Sequence, residues 1–204
     1  MIPGKRTIAA AGLVILMGAS ILWWGTDGFS AFTAETARRL EVLRSPRQLP
    51  ATALEDQDGH VFRLQDYQGR LVAVEFIYTR CTTLCRSMGM AFKQILDRVP
   101  QQAPGRDFAL VSISFDTERD DLSSLKAYAN TYGADGTRWR IARVRNAADL
   151  KPLLNAFGIV VIPDGLGGFE HNAAIHLLGR DGKLIQIIDI DDPLQFADRI
   201  ATWH

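Results

Sequence analysis

Two cysteines, spaced as Cys81-Thr82-Thr83-Leu84-Cys85, are the only ones in the chain. A thiolate is a nucleophile, a redox group and a soft metal ligand. The pair directly follows the apolar run Leu71 to Ile77, which reads as a buried central strand, and precedes a helical pattern that runs to about Val99. In such a strand-to-helix turn, backbone amides and the positive end of the helix dipole point at the first sulfur. Arg80 and Arg86 add formal charge, and all of these lower a thiol pKa. Residues four apart face each other across one helical turn, so the two sulfurs can close a disulfide or grip one ion. Two sulfurs alone leave most metals short of donors. One imidazole would suit copper, above all Cu(I), whereas zinc would want a fourth ligand. An incidental buried pair is the plain alternative.

The chain offers four histidines. His60 lies in a turn and His204 is the last residue, so both are expected in solvent. His176 falls in the middle of an expected strand, where a core or cross-strand role fits best. His171 follows the Gly-rich stretch Pro163 to Gly168, and a side chain there can reach a neighbouring loop. Met88 lies one helical turn from Cys85. Its thioether and that of Met90 could assist Cu(I), although filling the core is the ordinary use of Met on a helix.

Further elements must hold these groups in place. Asp58-Gly59 introduces a short strand, Val61 to Leu64. Phe108 to Phe115 and Trp139 to Val144 read as strands, and Ala173 to Leu178 forms a hairpin with Leu184 to Ile190 through the turn Arg180 to Lys183. Helices are expected at Leu122 to Tyr132, stopped by Gly133, at Ala147 to Phe157, capped by Gly158, and at Pro193 to Thr202. Strands alternating with helices and closed by a hairpin and helix describe an α/β sandwich of the thioredoxin sort, with a mixed central sheet.

Ahead of this domain, Lys5 and Arg6 precede an uncharged run, Thr7 to Thr26, that ends in Trp23-Trp24. The length suits one N-terminal transmembrane helix, and the tryptophans favour an anchor over a cleaved leader. The expected organisation is a signal-anchor over 1–26, a linker or juxtamembrane helix over 27–50 and the folded domain over 51–204. The positive-inside bias keeps Lys5 and Arg6 cytoplasmic and sends the domain to the far side. Lys plus Arg and Asp plus Glu both number 23, so no net field attracts nucleic acid.

Arg70 to Cys85, Val111-Ser-Ile-Ser-Phe-Asp116, Leu125-Lys-Ala-Tyr-Ala129 with Trp139, and Glu170-His171 ahead of Leu177 to Gly182 resemble the successive signatures of the SCO/SenC family. The resemblance spans nearly all of 51–204. It implies a thioredoxin-like fold on a membrane anchor in the bacterial inner membrane, with the domain in the periplasm. It also implies a copper ion held by Cys81, Cys85 and His171. The implied work is delivery of copper to the dinuclear copper centre of the copper-bearing subunit of cytochrome c oxidase, or reduction of the cysteines that receive it. Family members usually carry proline where Arg86, and often where Thr82, stand here. Glu170 replaces a common Asp, and His176 sits where an aromatic is frequent. Two other chemistries use the same residues: a membrane-tethered thiol-disulfide oxidoreductase with no obligatory metal, and a peroxidase resembling peroxiredoxins.

Overall fold

A computed structural model describes residues 4–26, 28, 33–81, 84–99, 108–189 and 192–202. The chain divides into two compact units, Met1–Arg44 and Ser45–His204. In the first, α1 spans Lys5–Gly25 and α2 spans Ala34–Arg44. Leu13 to Met17 and Ile21 to Trp24 leave their large apolar side chains exposed. Among the described residues, however, no helix is long and apolar enough to cross a membrane. The expected leader is therefore present as a helix, and its spanning role is not shown.

The second unit is built on a seven-stranded sheet. Its strands are β1 (Leu54–Asp56), β2 (Val61–Phe62), β3 (Leu71–Ile77), β4 (Phe108–Ser114), β5 (Trp139–Val144), β8 (Ile175–Leu178) and β9 (Leu184–Ile188), in the order β2-β1-β5-β4-β3-β8-β9. β3, β4 and β5 run parallel, and β8 lies antiparallel to β3 with Val74 opposite His176. Central strands buried on both faces carry nearly continuous apolar runs, and every residue of β3 and β4 is buried. On one face, α3 (Leu84–Arg98) packs with α4 (Leu122–Tyr132) and α6 (Pro193–Ala201). On the other, Phe157 at the end of α5 (Leu150–Phe157) meets Phe76 edge-on at 5.0 Å.

This mixed α/β sandwich is the expected one, with local differences. The strand expected at Val61 to Leu64 stops at Phe62, because Leu64–Tyr67 coils into a 3₁₀ turn. Ala147–Asp149 forms a separate 3₁₀ turn ahead of α5. Arg47 exchanges backbone hydrogen bonds with Leu184, at 3.0 and 2.9 Å, so ordered pairing starts inside the expected linker. A two-stranded hairpin, β6 (Val161–Pro163) with β7 (Phe169–His171), brackets the Gly-rich stretch that the sequence presents as loop.

The topology explains how distant residues approach one another. β3 ends toward the cysteines, and β8, running against it, begins at that same end. Residues just before Ile175 are therefore brought to the edge where Cys81 emerges. The turn Gly179 to Lys183 lies at the opposite end, where the Gly69 amide donates to the Arg180 carbonyl at 2.8 Å.

Candidate dithiol and metal site

Beyond Ile77 the chain turns through Tyr78, and the Cys81 amide donates to the Tyr78 carbonyl at 3.2 Å. The turn is pinned by Asp120, which is 1% exposed. Its carboxylate accepts from the Thr79 amide at 2.9 Å, the Thr79 hydroxyl at 2.6 Å and the Ser114 hydroxyl at 2.5 Å. Three hydrogen bonds on one buried carboxyl group fix the approach to Cys81. Thr79 and Asp120 are 41 residues apart, and no sequence spacing marks them as partners.

No disulfide joins the cysteines. Cys85 is fully buried in the first turn of α3, and Cys81 is half-buried ahead of it. The Cys85 amide donates to the Cys81 sulfur at 3.2 Å, which is the helix-end contact expected to favour a thiolate there. The second sulfur has a different setting. Burial pushes the Cys85 thiol far above its ordinary range, and hydrogen bonding to Cys81 adds to this. The Tyr128 hydroxyl of α4 donates to the Cys85 carbonyl at 3.1 Å and so holds the start of α3.

His171 ends β7, and its ring packs on Phe115 with centroids 5.1 Å apart. Both ring nitrogens are buried without a hydrogen-bond partner among the described residues, and desolvation holds the imidazole pKa below its usual value. The ring therefore stays neutral near pH 7, with a lone pair to offer. Tyr78 connects this hairpin to the dithiol. Its hydroxyl accepts from the Phe169 amide at 3.3 Å, stands 3.5 Å from the Phe169 carbonyl and also hydrogen-bonds with Cys81. The rings of Tyr78, Phe115 and Phe169 form one cluster, with centroids 5.3 to 5.5 Å apart.

Arg119 clamps the hairpin from the side. It pairs with the buried Asp116 carboxylate at 2.6 Å, donates to the Gly167 carbonyl at 2.5 Å and lies 5.1 Å over the Phe169 ring. The three expected donors thus share one end of the sheet. Among the described residues, though, no three of His, Cys, Asp and Glu stand close enough to hold a metal ion together.

The remaining candidates separate cleanly. His176 is fully buried, with Nδ1 3.3 Å from the Val74 carbonyl and its ring edge-on to Phe76 and Phe157. His60 is exposed, with Nδ1 3.4 Å from the Asp56 carboxylate. Met88 is fully buried core and Met90 is half exposed. Thr82, Thr83 and His204 lie outside the described residues.

Two clefts flank the dithiol turn. One, of about 510 Å³, lies between Thr79–Cys81 and α4 and is lined by Arg80, Arg86, Tyr128 and Tyr132 among others. The other, of about 470 Å³, lies between Tyr78 and Arg80 on one side and residues 164–170 on the other.

Comparison with known proteins agrees with this arrangement. The SCO1 protein homolog of Bacillus subtilis (strain 168) is 27% identical over 134 residues, covering 65% of this chain and 68% of that protein. The structure of Bradyrhizobium japonicum ScoI with copper bound superposes with a TM-score of 0.66 over 78% of this chain and 98% of that one, at 20% identity. The structure of BsSco, described with a disulfide switch and as a member of the Sco family of cytochrome c oxidase assembly proteins, gives a TM-score of 0.61 at 21% identity over 78% and 96%. At such identities the two structures establish the fold alone. The SCO1/SenC family model matches residues 49–203, from the strand pairing at the start of the sheet to the end of the last helix, and on that match the chain belongs to the SCO1/SenC family.

Proposed function

We propose that this protein handles copper for cytochrome c oxidase assembly, with Cys81, Cys85 and His171 as the donors and Cu(I) as cargo. The observation that carries the reading is the neutral His171 ring, whose two nitrogens are buried and hydrogen-bond to nothing among the described residues. A buried polar atom without a partner is costly, so its retention at the dithiol end of the sheet needs a reason. A soft ion between two sulfurs and an imidazole supplies one. For the imidazole to complete the set, the β6–β7 hairpin closes toward Cys81; its tip holds Gly165 and Gly167 at positive φ (74° and 92°), conformations that glycine adopts without strain. The copper in the ScoI structure and the oxidase-assembly role given to BsSco support this assignment. The helix α1 serves as the membrane anchor, with Lys5 and Arg6 on the cytoplasmic side and the domain in the periplasm.

The test is a titration of the reduced full-length chain with Cu(I) against a competing chelator. The wild type takes up one equivalent, His171→Ala binds at least about tenfold more weakly, and Cys81→Ser abolishes tight binding. Equal affinity in wild type and His171→Ala overturns the three-donor site.

A second reading has its own observation. One accessible and one fully buried thiol is the asymmetry of a dithiol that exchanges with a partner's disulfide, the outer sulfur attacking and the inner one resolving. Disulfide reductase activity unchanged by His171→Ala and by copper chelation would favour it over cargo transfer.

A further inference from the structure

We propose that the cleft between the Cys81 turn and α4 docks an extended, acidic segment of a partner protein, one that carries a disulfide flanked by Asp or Glu. The inference rests on the dithiol reading above and adds the chemistry of the partner. Arg80 and Arg86 are both exposed on this cleft, and neither forms an ion pair or hydrogen bond among the described residues. Other arginines of the domain behave otherwise: Arg119 is paired with Asp116, Arg140 with Asp56 and Arg143 with Glu55. Two guanidiniums without carboxylates, on a chain of zero formal net charge, make a local cationic site with no internal counterpart. Arginine is the side chain best suited to grip carboxylates in a fork.

The rest of the cleft completes a reaction site. Cys81 opens into it and Cys85 is fully buried, so an incoming disulfide can reach only the outer sulfur. Tyr128 and Tyr132 give the opposite wall an aromatic face with ring centroids 4.6 Å apart, and aromatic walls hold peptide segments at small entropic cost. The volume, about 510 Å³, suits a short stretch of chain. The chemistry balances without further reagents. The Cys81 thiolate attacks one sulfur of the partner's disulfide; a Cys81–partner bond forms, the partner's S–S bond breaks and its second sulfur leaves as a thiolate. Cys85 then gives its proton to that thiolate and attacks the Cys81 sulfur, releasing the first partner thiol. The partner gains two electrons, and the Cys81/Cys85 dithiol becomes a disulfide.

The experiment uses the full-length chain in detergent carrying Cys85→Ser, which stops the exchange at the mixed disulfide. Two synthetic peptides are offered, each closed by a disulfide across three residues, one flanked by Asp and Glu and the other by Ser and Asn. The ratio of their rates separates docking from the intrinsic reactivity of Cys81, which both peptides share. The acidic peptide reacts about tenfold or more faster, and the advantage vanishes in Arg80→Gln/Arg86→Gln and shrinks steeply with salt. A ratio near one in the parent, or one that survives both salt and the double substitution, overturns the docking site. If the double variant does not fold, the salt series on the parent decides alone. Cu(I) uptake by the same chain without Cys85→Ser is measured in parallel. Uptake with a ratio of one sinks only the docking site, and a tenfold ratio without uptake sinks only the cargo.

Discussion

Glu75 sits in the middle of β3 with no exposed surface. One carboxyl oxygen accepts a short hydrogen bond from the Ser112 hydroxyl, which in turn accepts from the Trp139 indole at 2.9 Å, while the other oxygen has no partner among the described residues. Burial pushes its pKa up from 4.5 to about 8, with the Ser112 bond opposing the shift. The folded protein therefore keeps a proton there that the unfolded chain gives up above about pH 4.5. Stability from this group is fully present below that value and is lost as pH rises toward about 8, at about 1 kcal/mol per pH unit. Urea midpoints measured from pH 5 to 8 should fall in the wild type and flatten in Glu75→Gln. An equal slope in both would mean the carboxyl ionises freely where it stands. The same physics at His171 has the opposite charge logic, since burial there keeps a base unprotonated.

The contact of α3 with α4 governs how firmly the dithiol is held. Gly89 faces α4 so closely that a methyl group in its place would stand 2.8 Å from the Tyr128 hydroxyl and 3.0 Å from the Tyr132 ring. Alanine normally stabilises a helix over glycine by about 1 kcal/mol. Overpacking a fixed contact costs about 1–3 kcal/mol, and the Tyr128 hydroxyl is tied to the Cys85 carbonyl and cannot retreat freely. Gly89→Ala should therefore lower stability by about 1 kcal/mol in denaturant unfolding, and a gain instead would show that the tyrosines swing aside. Elements of this kind were legible from sequence wherever one signal dominated. Leu122 to Tyr132 ends on a Gly133 stop, Trp139 to Val144 is a β-rich run, and both stand where expected. The β6–β7 hairpin was not legible, because its strands have three residues each and its pairing depends on Tyr78 and Arg119 from elsewhere. Asp120 and the buried state of Cys85 were hidden for the same reason. Both are properties of packing, and local sequence reports packing only as an average.

At the scale of the whole chain, two units with different surfaces are joined at Arg44. Large apolar side chains lie exposed in an almost continuous run along α1, whereas in the domain from Ser45 most are buried and the exposed ones, such as Val61, Met90 and Leu166, are scattered. We expect the full-length chain to co-sediment with lipid vesicles and a chain lacking residues 1–26 to stay in the supernatant with an unchanged thermal midpoint; release of both from the vesicles would argue against the anchor. The likeness to the family was readable because stretches such as Arg70 to Cys85, Val111 to Asp116 and Leu177 to Gly182 follow one another along the chain, whereas where His171 stands relative to the sulfurs is a matter of hairpin position that no motif records.

The turn from Gly179 to Lys183, at the end of the sheet remote from the cysteines, gives the experimenter a quiet handle. A fluorophore or an affinity tag grafted there would ride on the same β8 whose other end leads back to His171, and would report on the protein without standing in the way of anything that visits its working edge.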